Sequence, residues 1–314
     1  MKRLLCAGTI ALTPFSADAQ TSGVQAGAPP ATVPGHELTV GLGSYNYVEP
    51  GDLSISIHGA KLVGEYTGTF LLDARTHWFA RTNLRAHVGS TSYDGWCGPW
   101  QIAPDSSSPN GYRLDIGDYS PCDDSGNRDW YLEGRALAGR DFVGQRWTWS
   151  PEAGLGVRHL SNGIAGVSGY RTDDYLYLPL GLTARATIGS QGVLSLTLEY
   201  DHLLRGWQTT YQSKRGGGEA PATSTAPAFT LNGFTDISFD QHSGRALRVS
   251  AKYGLDRRWS VEPYWIRWSV GDSTVNHSTA TFTVNGIAAA QQLGFYEPRN
   301  TTNELGVKLG LRIR

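Results

Sequence analysis

The residues best suited to chemistry in this chain are a histidine and a serine two positions apart. They sit in the string Arg158-His159-Leu160-Ser161-Asn162. On an extended strand, residues i and i+2 share a face. His159 could therefore serve as the base for a Ser161 nucleophile in ester hydrolysis. The spacing identifies no acidic partner, and Asn162-Gly163 is a turn signal, so the string also reads as the entry to a loop. A second string, Glu199-Tyr200-Asp201-His202, sets acids beside a histidine. Asp201 and His202 are adjacent, however, and must point to opposite faces of a strand. Asp173-Asp174 reads as turn chemistry. His242 and His277 are isolated, so no metal site is expected, and nothing calls for a cofactor.

Any such residues need a scaffold, and composition points to its class. The chain has 314 residues, of which 39 are Gly and 18% are charged; 10 Trp, 15 Tyr and 9 Phe accompany a single Met. Mean hydropathy is −0.32, and no run of 18 apolar residues occurs, which excludes a helical membrane protein. The glycine excess shows no Gly-X-Y period, which excludes collagen. Low charge with many aromatics suits β architecture, either a sandwich or a membrane barrel. The 27 basic and 28 acidic residues nearly balance, so nucleic acid is not an expected partner.

The first residues address the compartment. Lys2 and Arg3 form a basic start, residues 4–12 an apolar stretch, and Ala17-Asp18-Ala19 a cleavage pattern. Residues 1–19 thus read as a signal peptide. Residues 20–36 read as a flexible periplasmic tail, and 37–314 as the folded domain. Cys97 and Cys122 would remain after cleavage. In an oxidising compartment they are expected to form a disulfide.

Period-two alternation recurs along the domain. Leu194, Leu196, Leu198 and Tyr200 alternate with Ser195, Thr197, Glu199 and Asp201. Leu305, Val307, Leu309, Leu311 and Ile313 alternate with Glu304, Gly306, Lys308, Gly310 and Arg312. Ten strands are expected, near 37–47, 59–72, 78–93, 129–142, 146–160, 174–187, 193–207, 244–254, 259–271 and 299–313. Their connectors alternate between short (73–77, 143–145, 188–192, 255–258) and long (48–58, 94–128, 161–173, 208–243, 272–298). That asymmetry predicts an all-β, transmembrane, antiparallel up-and-down barrel with long extracellular loops and short periplasmic turns, in the bacterial outer membrane. Trp78, Trp147 and Trp259 follow short turns and would form the periplasmic girdle. Tyr47, Tyr93, Trp130, Tyr175, Trp207 and Trp268 lie toward the long loops and would form the outer one. The chain ends Leu311-Arg312-Ile313-Arg314, where barrels usually present an aromatic residue to the barrel assembly machinery.

The same alternation assigns charges to the lumen. The basic set is Lys61, Arg81, Arg85, Arg135, Arg158, Arg185, Arg248, Lys252, Lys308 and Arg312. The acidic set is Glu65, Glu133, Glu152, Glu199, Asp201, Glu262 and Glu304. A ten-strand barrel is narrow, so these side chains should meet as a hydrogen-bonded plug. A charged pathway for a small solute is the rival reading. The loop 208–243, with Lys214-Arg215 and a Pro/Ala/Thr/Ser run, reads as mobile.

Several strings carry resemblances. His159-x-Ser161-Asn162 resembles the motif of outer-membrane lipid A deacylases, which cleave an acyl ester from lipopolysaccharide with a Ser/His pair and an acidic partner. The acids near Asp201 and His202 bring to mind omptin proteases, which also have ten strands, but the paired Asp is missing. Tyr45-x-Tyr47-x-Glu49-Pro50, Gly169-Tyr170-Arg171, Tyr175 to Gly181, Glu199 to Gln208 and Glu297 to Gly306 together resemble a poorly characterised proteobacterial outer-membrane β-barrel family. That resemblance implies a small outer-membrane barrel and brings no activity with it. The sequence therefore favours a non-enzymatic barrel serving envelope structure, surface binding or narrow solute passage. Its expected partners are outer-membrane lipid, lipopolysaccharide and an extracellular ligand.

Overall fold

A computed structural model describes residues 31–164, 169–188, 192–215, 217–223, 226–256 and 258–313. The proposed signal peptide lies outside them, as does the tail before residue 31. Ten long strands follow one another: β1 (Gly35–Glu49), β2 (Ile55–Asp73), β3 (Trp78–Cys97), β4 (Ser120–Arg140), β5 (Thr148–Ile164), β6 (Gly169–Ile188), β7 (Gly192–Tyr211), β8 (Gly244–Gly254), β9 (Trp259–Val270) and β10 (Asn300–Ile313). Each pairs antiparallel with the next, and β1 pairs with β10 to close the ring, with Tyr45 opposite Glu304. Closure leaves the barrel without an edge, so every wall backbone group can bond to a neighbouring strand.

The wall is inside out relative to a soluble protein. Val40, Leu42 and Leu305 are 61%, 68% and 60% exposed, whereas Lys61 and Glu304, on the opposite face of neighbouring strands, are each 1% exposed. An apolar exterior around a polar interior is the arrangement that lipid selects. Trp78, Trp149 and Trp259 project outward at the short-turn end, and the Trp147 ring lies 6.3 Å from that of Trp149, tilted 35° to it. The other girdle needs correction. Of the six aromatics assigned to it, only Trp130 and Trp207 lie on outward-facing positions. Tyr47, Tyr93 and Trp268 are 6%, 3% and 2% exposed, and Tyr175 packs on Trp268. They share strand parity with the lumen charges, and height alone cannot reveal that.

Glycine lets the wall draw close at one seam. A Cβ on Gly306 would lie 2.5 Å from the Leu42 carbonyl oxygen and 2.7 Å from Tyr264 Oη; one on Gly43 would lie 2.7 Å from the same hydroxyl. Tyr264 fills the space that these two residues leave open.

The long connectors hold more structure than the alternation indicates. β3 and β4 run on as a paired ribbon up to Cys97 opposite Ser120, and the Cys97–Cys122 disulfide crosses that ribbon. Beyond it, Trp100–Pro104 pairs with Tyr112–Ile116. The segment 208–243, expected to be a loop, supplies Gly218–Ala220, Phe229–Phe234 and Ile237–Gln241. The last of these extends β8 upward along β7, with Gln241 opposite Gly206. The first two join Asn276–Val284 and Ile287–Phe295 in a separate four-stranded sheet.

Ile102 and Leu114, from between β3 and β4, pack in one apolar cluster with Phe229, Phe234, Phe282 and Ala289. The latter come from the β7–β8 and β9–β10 connections, on the other arc of the ring. The cluster thus bridges the mouth as a canopy. Below, at the opposite end, the Thr32 amide and hydroxyl donate to Asp141 at 2.5 and 2.8 Å, and β1 already begins at Gly35.

Candidate functional site

The lumen is filled by side chains projecting from all around the wall. Near the short-turn end Arg81 forks onto both oxygens of Glu152 at 2.8 and 2.7 Å, and Arg185 reaches Asp141 at 3.3 Å. Lys252 pairs with Glu37. Higher up, Lys308 bridges Glu65 at 2.9 Å and Glu262 at 3.3 Å, and Arg135 pairs with Glu199 at 2.5 Å. At mid-height Arg248 donates to Glu133 at 2.5 and 2.9 Å and to Asp201 at 2.6 Å. Tyr177 also donates to Glu133, at 2.6 Å. Above lies Glu304, which accepts from Arg158 at 3.0 Å and Tyr131 at 2.7 Å, with His87 3.5 Å away. Lys61 pairs with Asp129 and sits 3.4 Å over the Tyr45 ring. Arg85 lies 3.5 Å from Glu65 and stacks over Tyr264.

A further layer sits under the canopy. Arg171 pairs with Glu297 at 3.1 Å and lies 3.7 Å from Glu49. The Tyr47 hydroxyl donates to Glu49 at 2.6 Å and lies 3.0 Å from Glu297, and Gln208 donates to Glu297 at 2.9 Å. These hydrogen bonds compensate for much of the cost of burying charge.

Most lumen charges named from the sequence meet here. Arg312 does not: at the chain's end it donates to the carbonyl of Val33 at 2.9 Å. The sequence reading missed Asp129, Asp141, Glu37, Arg171, Glu49 and Glu297 as lumen partners. Parity within the expected strands marks Glu37, Asp129 and Asp141, and parity carried past the strand ends marks Glu49 and Arg171; Glu297 lies in the connector before β10, out of phase with Glu304, and carries no such signal. Among the described residues, no group of three or more His, Cys, Asp or Glu is arranged to hold a metal ion.

The second cluster lies on the outer wall. His159 and Ser161 do share the lipid-side face of β5. The β5–β6 register sets Asp174 directly opposite His159, and His159 Nδ1 is 2.7 Å from Asp174 Oδ1. The acid that spacing could not supply is therefore present. Ser161 Oγ is 2.5 Å from the Tyr170 hydroxyl and only 1% exposed. Trp130, opposite Ser161 on β4, packs with its ring 5.3 Å from the His159 ring and tilted 50° to it. Lys214 sits over Tyr170 and Tyr211, 4.6 Å from each. The other candidate string separates as parity requires: Asp201 is buried against Arg248 while His202 is exposed on the outside.

Fold and wall together define a closed ten-strand antiparallel barrel of the outer-membrane type. Similar solved structures include the outer membrane protease OmpT from Escherichia coli (10% identity, 89% of this chain and 97% of that one, TM-score 0.48). Others are the translocator domain of the autotransporter NalP from Neisseria meningitidis (9%, 90% and 90%, 0.36) and an outer membrane channel from Pseudomonas putida F1 (10%, 94% and 100%, 0.31). No family model and no curated protein matches the chain, so the family resemblance rests on its strings alone.

Proposed function

We propose that the protein is a bacterial outer-membrane barrel whose sealed lumen serves as an anchor and whose canopy serves as a surface platform. The observation that carries this reading is the stack of paired charges from Arg81–Glu152 up to Arg171–Glu297. A channel needs a continuous aqueous path, and this lumen is crossed by buried ion pairs at every level. In this reading the belt is solvated by lipid and, in the outer leaflet, by lipopolysaccharide, and an extracellular ligand binds the canopy. Refolded protein in a planar bilayer should show no discrete conductance steps; regular steps would overturn the sealed-lumen reading. Deleting residues 98–119 should abolish surface binding while leaving the barrel folded.

The 2.7 Å contact of His159 with Asp174 favours a second reading, hydrolysis of an acyl ester in the outer leaflet. Asp174 would hold the imidazole Nδ1–H, leaving Nε2 to take the Ser161 proton as Oγ attacks the ester carbonyl. The protonated imidazole would return that proton to the departing alkoxide, and water would then release the acyl group. Tyr170 would have to release the serine first. Mass spectrometry of lipid A from cells expressing the protein tests this. Loss of one acyl chain with the native chain, and not with Ser161→Ala, is the supporting result; unchanged acylation eliminates the reading.

A further inference from the structure

The canopy ends in a strand with an open side. Ile287–Phe295 pairs with Asn276–Val284 in an unbroken nine-residue register and is the last strand of its sheet. Among the described residues, no backbone partner occupies its other side. Exposed edges are normally blunted by charge, proline or a bulge. This one, Ile-Ala-Ala-Ala-Gln-Gln-Leu-Gly-Phe, has none of these.

The turn fixes which groups face outward. Asn285 and Gly286 have φ of 52° and 78°, the two left-handed residues of a type I′ hairpin. Val284 and Ile287 then form the first hydrogen-bonded pair, and alternate residues from Ile287 bond inward. Ala288, Ala290, Gln292 and Gly294 are left with their N–H and C=O directed to the open side, and all four are exposed. Meanwhile Ala289 is buried in the canopy core. Gln291 is tied down by accepting from the Leu114 amide at 2.7 Å and donating to its carbonyl at 3.0 Å. The edge is thus held rigid from behind.

We infer that this edge pairs with the same edge of a second copy of the chain, joining two canopies in one continuous sheet. Copies in one membrane share orientation, so two of them meet about a twofold axis along the membrane normal. With that axis crossing the two strands, the pair is antiparallel. The outward groups match when Ala288 faces Gly294 and Ala290 faces Gln292, centred on Gln291. Only Gln291 meets its own copy in that register, and no charge faces a like charge.

Proline separates the edge from the fold. At Gln292 it removes only an outward N–H, a position where edge strands tolerate proline. The full chain, extracted in mild detergent, should have twice the monomer mass by light scattering, and Gln292→Pro should halve it with strand content unchanged. Mixed Ala290→Cys and Gln292→Cys chains should cross-link in the outer membrane, whereas Ala288→Cys mixed with Gln292→Cys should not. A monomeric native chain that also fails to cross-link would overturn the inference. So would a Gln292→Pro dimer of undiminished stability, or cross-linking that ignores register.

Discussion

Glu304 illustrates what a single buried residue contributes. It is 1% exposed and accepts from both Arg158 and Tyr131. Replacing it with leucine leaves a buried guanidinium without its anion, which costs about 3–5 kcal/mol. Urea unfolding from lipid vesicles should register a loss of that size for Glu304→Leu. Exposed Arg113, paired with Asp115 at 3.5 Å, should register less than about 1 kcal/mol on replacement with alanine. Asp256 works differently, in the turn between β8 and β9. The amides of Trp259 and Arg258 donate to its carboxylate at 2.7 and 2.6 Å, and the Trp259 bond first, then the Arg258 bond, hold its pKa below the usual carboxylate range. The folded-state pKa is thus depressed. Its stabilising contribution is full above the unfolded pKa and fades as pH falls through the folded one. Asp256→Asn should remove that component of the acid dependence, read as a flatter plot of unfolding midpoint against pH.

At the scale of elements, the disulfide and the canopy hairpins matter most. Cys97 and Cys122 are 25 residues apart in sequence and clamp the ribbon that carries Ile102 and Leu114 into the canopy core. A cross-link over a loop of that length contributes about 3 kcal/mol. Cys97→Ser with Cys122→Ser should therefore open the canopy to protease while the ten barrel strands stay resistant; cleavage fragments mapped by mass would show this. The strand β5 teaches a different lesson. His159 and Ser161 were legible as a pair from their spacing, yet Asp174 was dismissed as turn chemistry. Register between two strands brought it opposite His159, and register is not written in either strand alone.

For the whole molecule, the charge stack and the wall act as one. Lipid outside requires an apolar belt, and the narrow ring then forces the polar faces of opposite strands to meet. Opening that lumen would take the loss of several layers together. Glu133→Ala, Arg248→Ala and Glu304→Ala in one chain should still give no more than small, irregular current in a planar bilayer, since the Lys308 and Arg171 layers remain. Large regular steps from that variant would show that the Arg248 and Glu304 layers by themselves seal the barrel.

The sequence by itself determined the ten strands, their alternating connectors and the cysteine pair. It could do so because a lipid-facing wall imposes period two on every strand, and that period survives in the residue order. Tertiary structure decided the rest. It turned Tyr47, Tyr93, Tyr175 and Trp268 from a supposed girdle into lumen filling, because parity and not height sets which way a ring points. It chose the partner of each charge, brought Asp174 to His159, and folded the 208–243 segment into strands of the canopy and of the barrel rim. Those outcomes depend on which strands become neighbours when the ring closes, and closure joins residues as far apart as Tyr45 and Glu304.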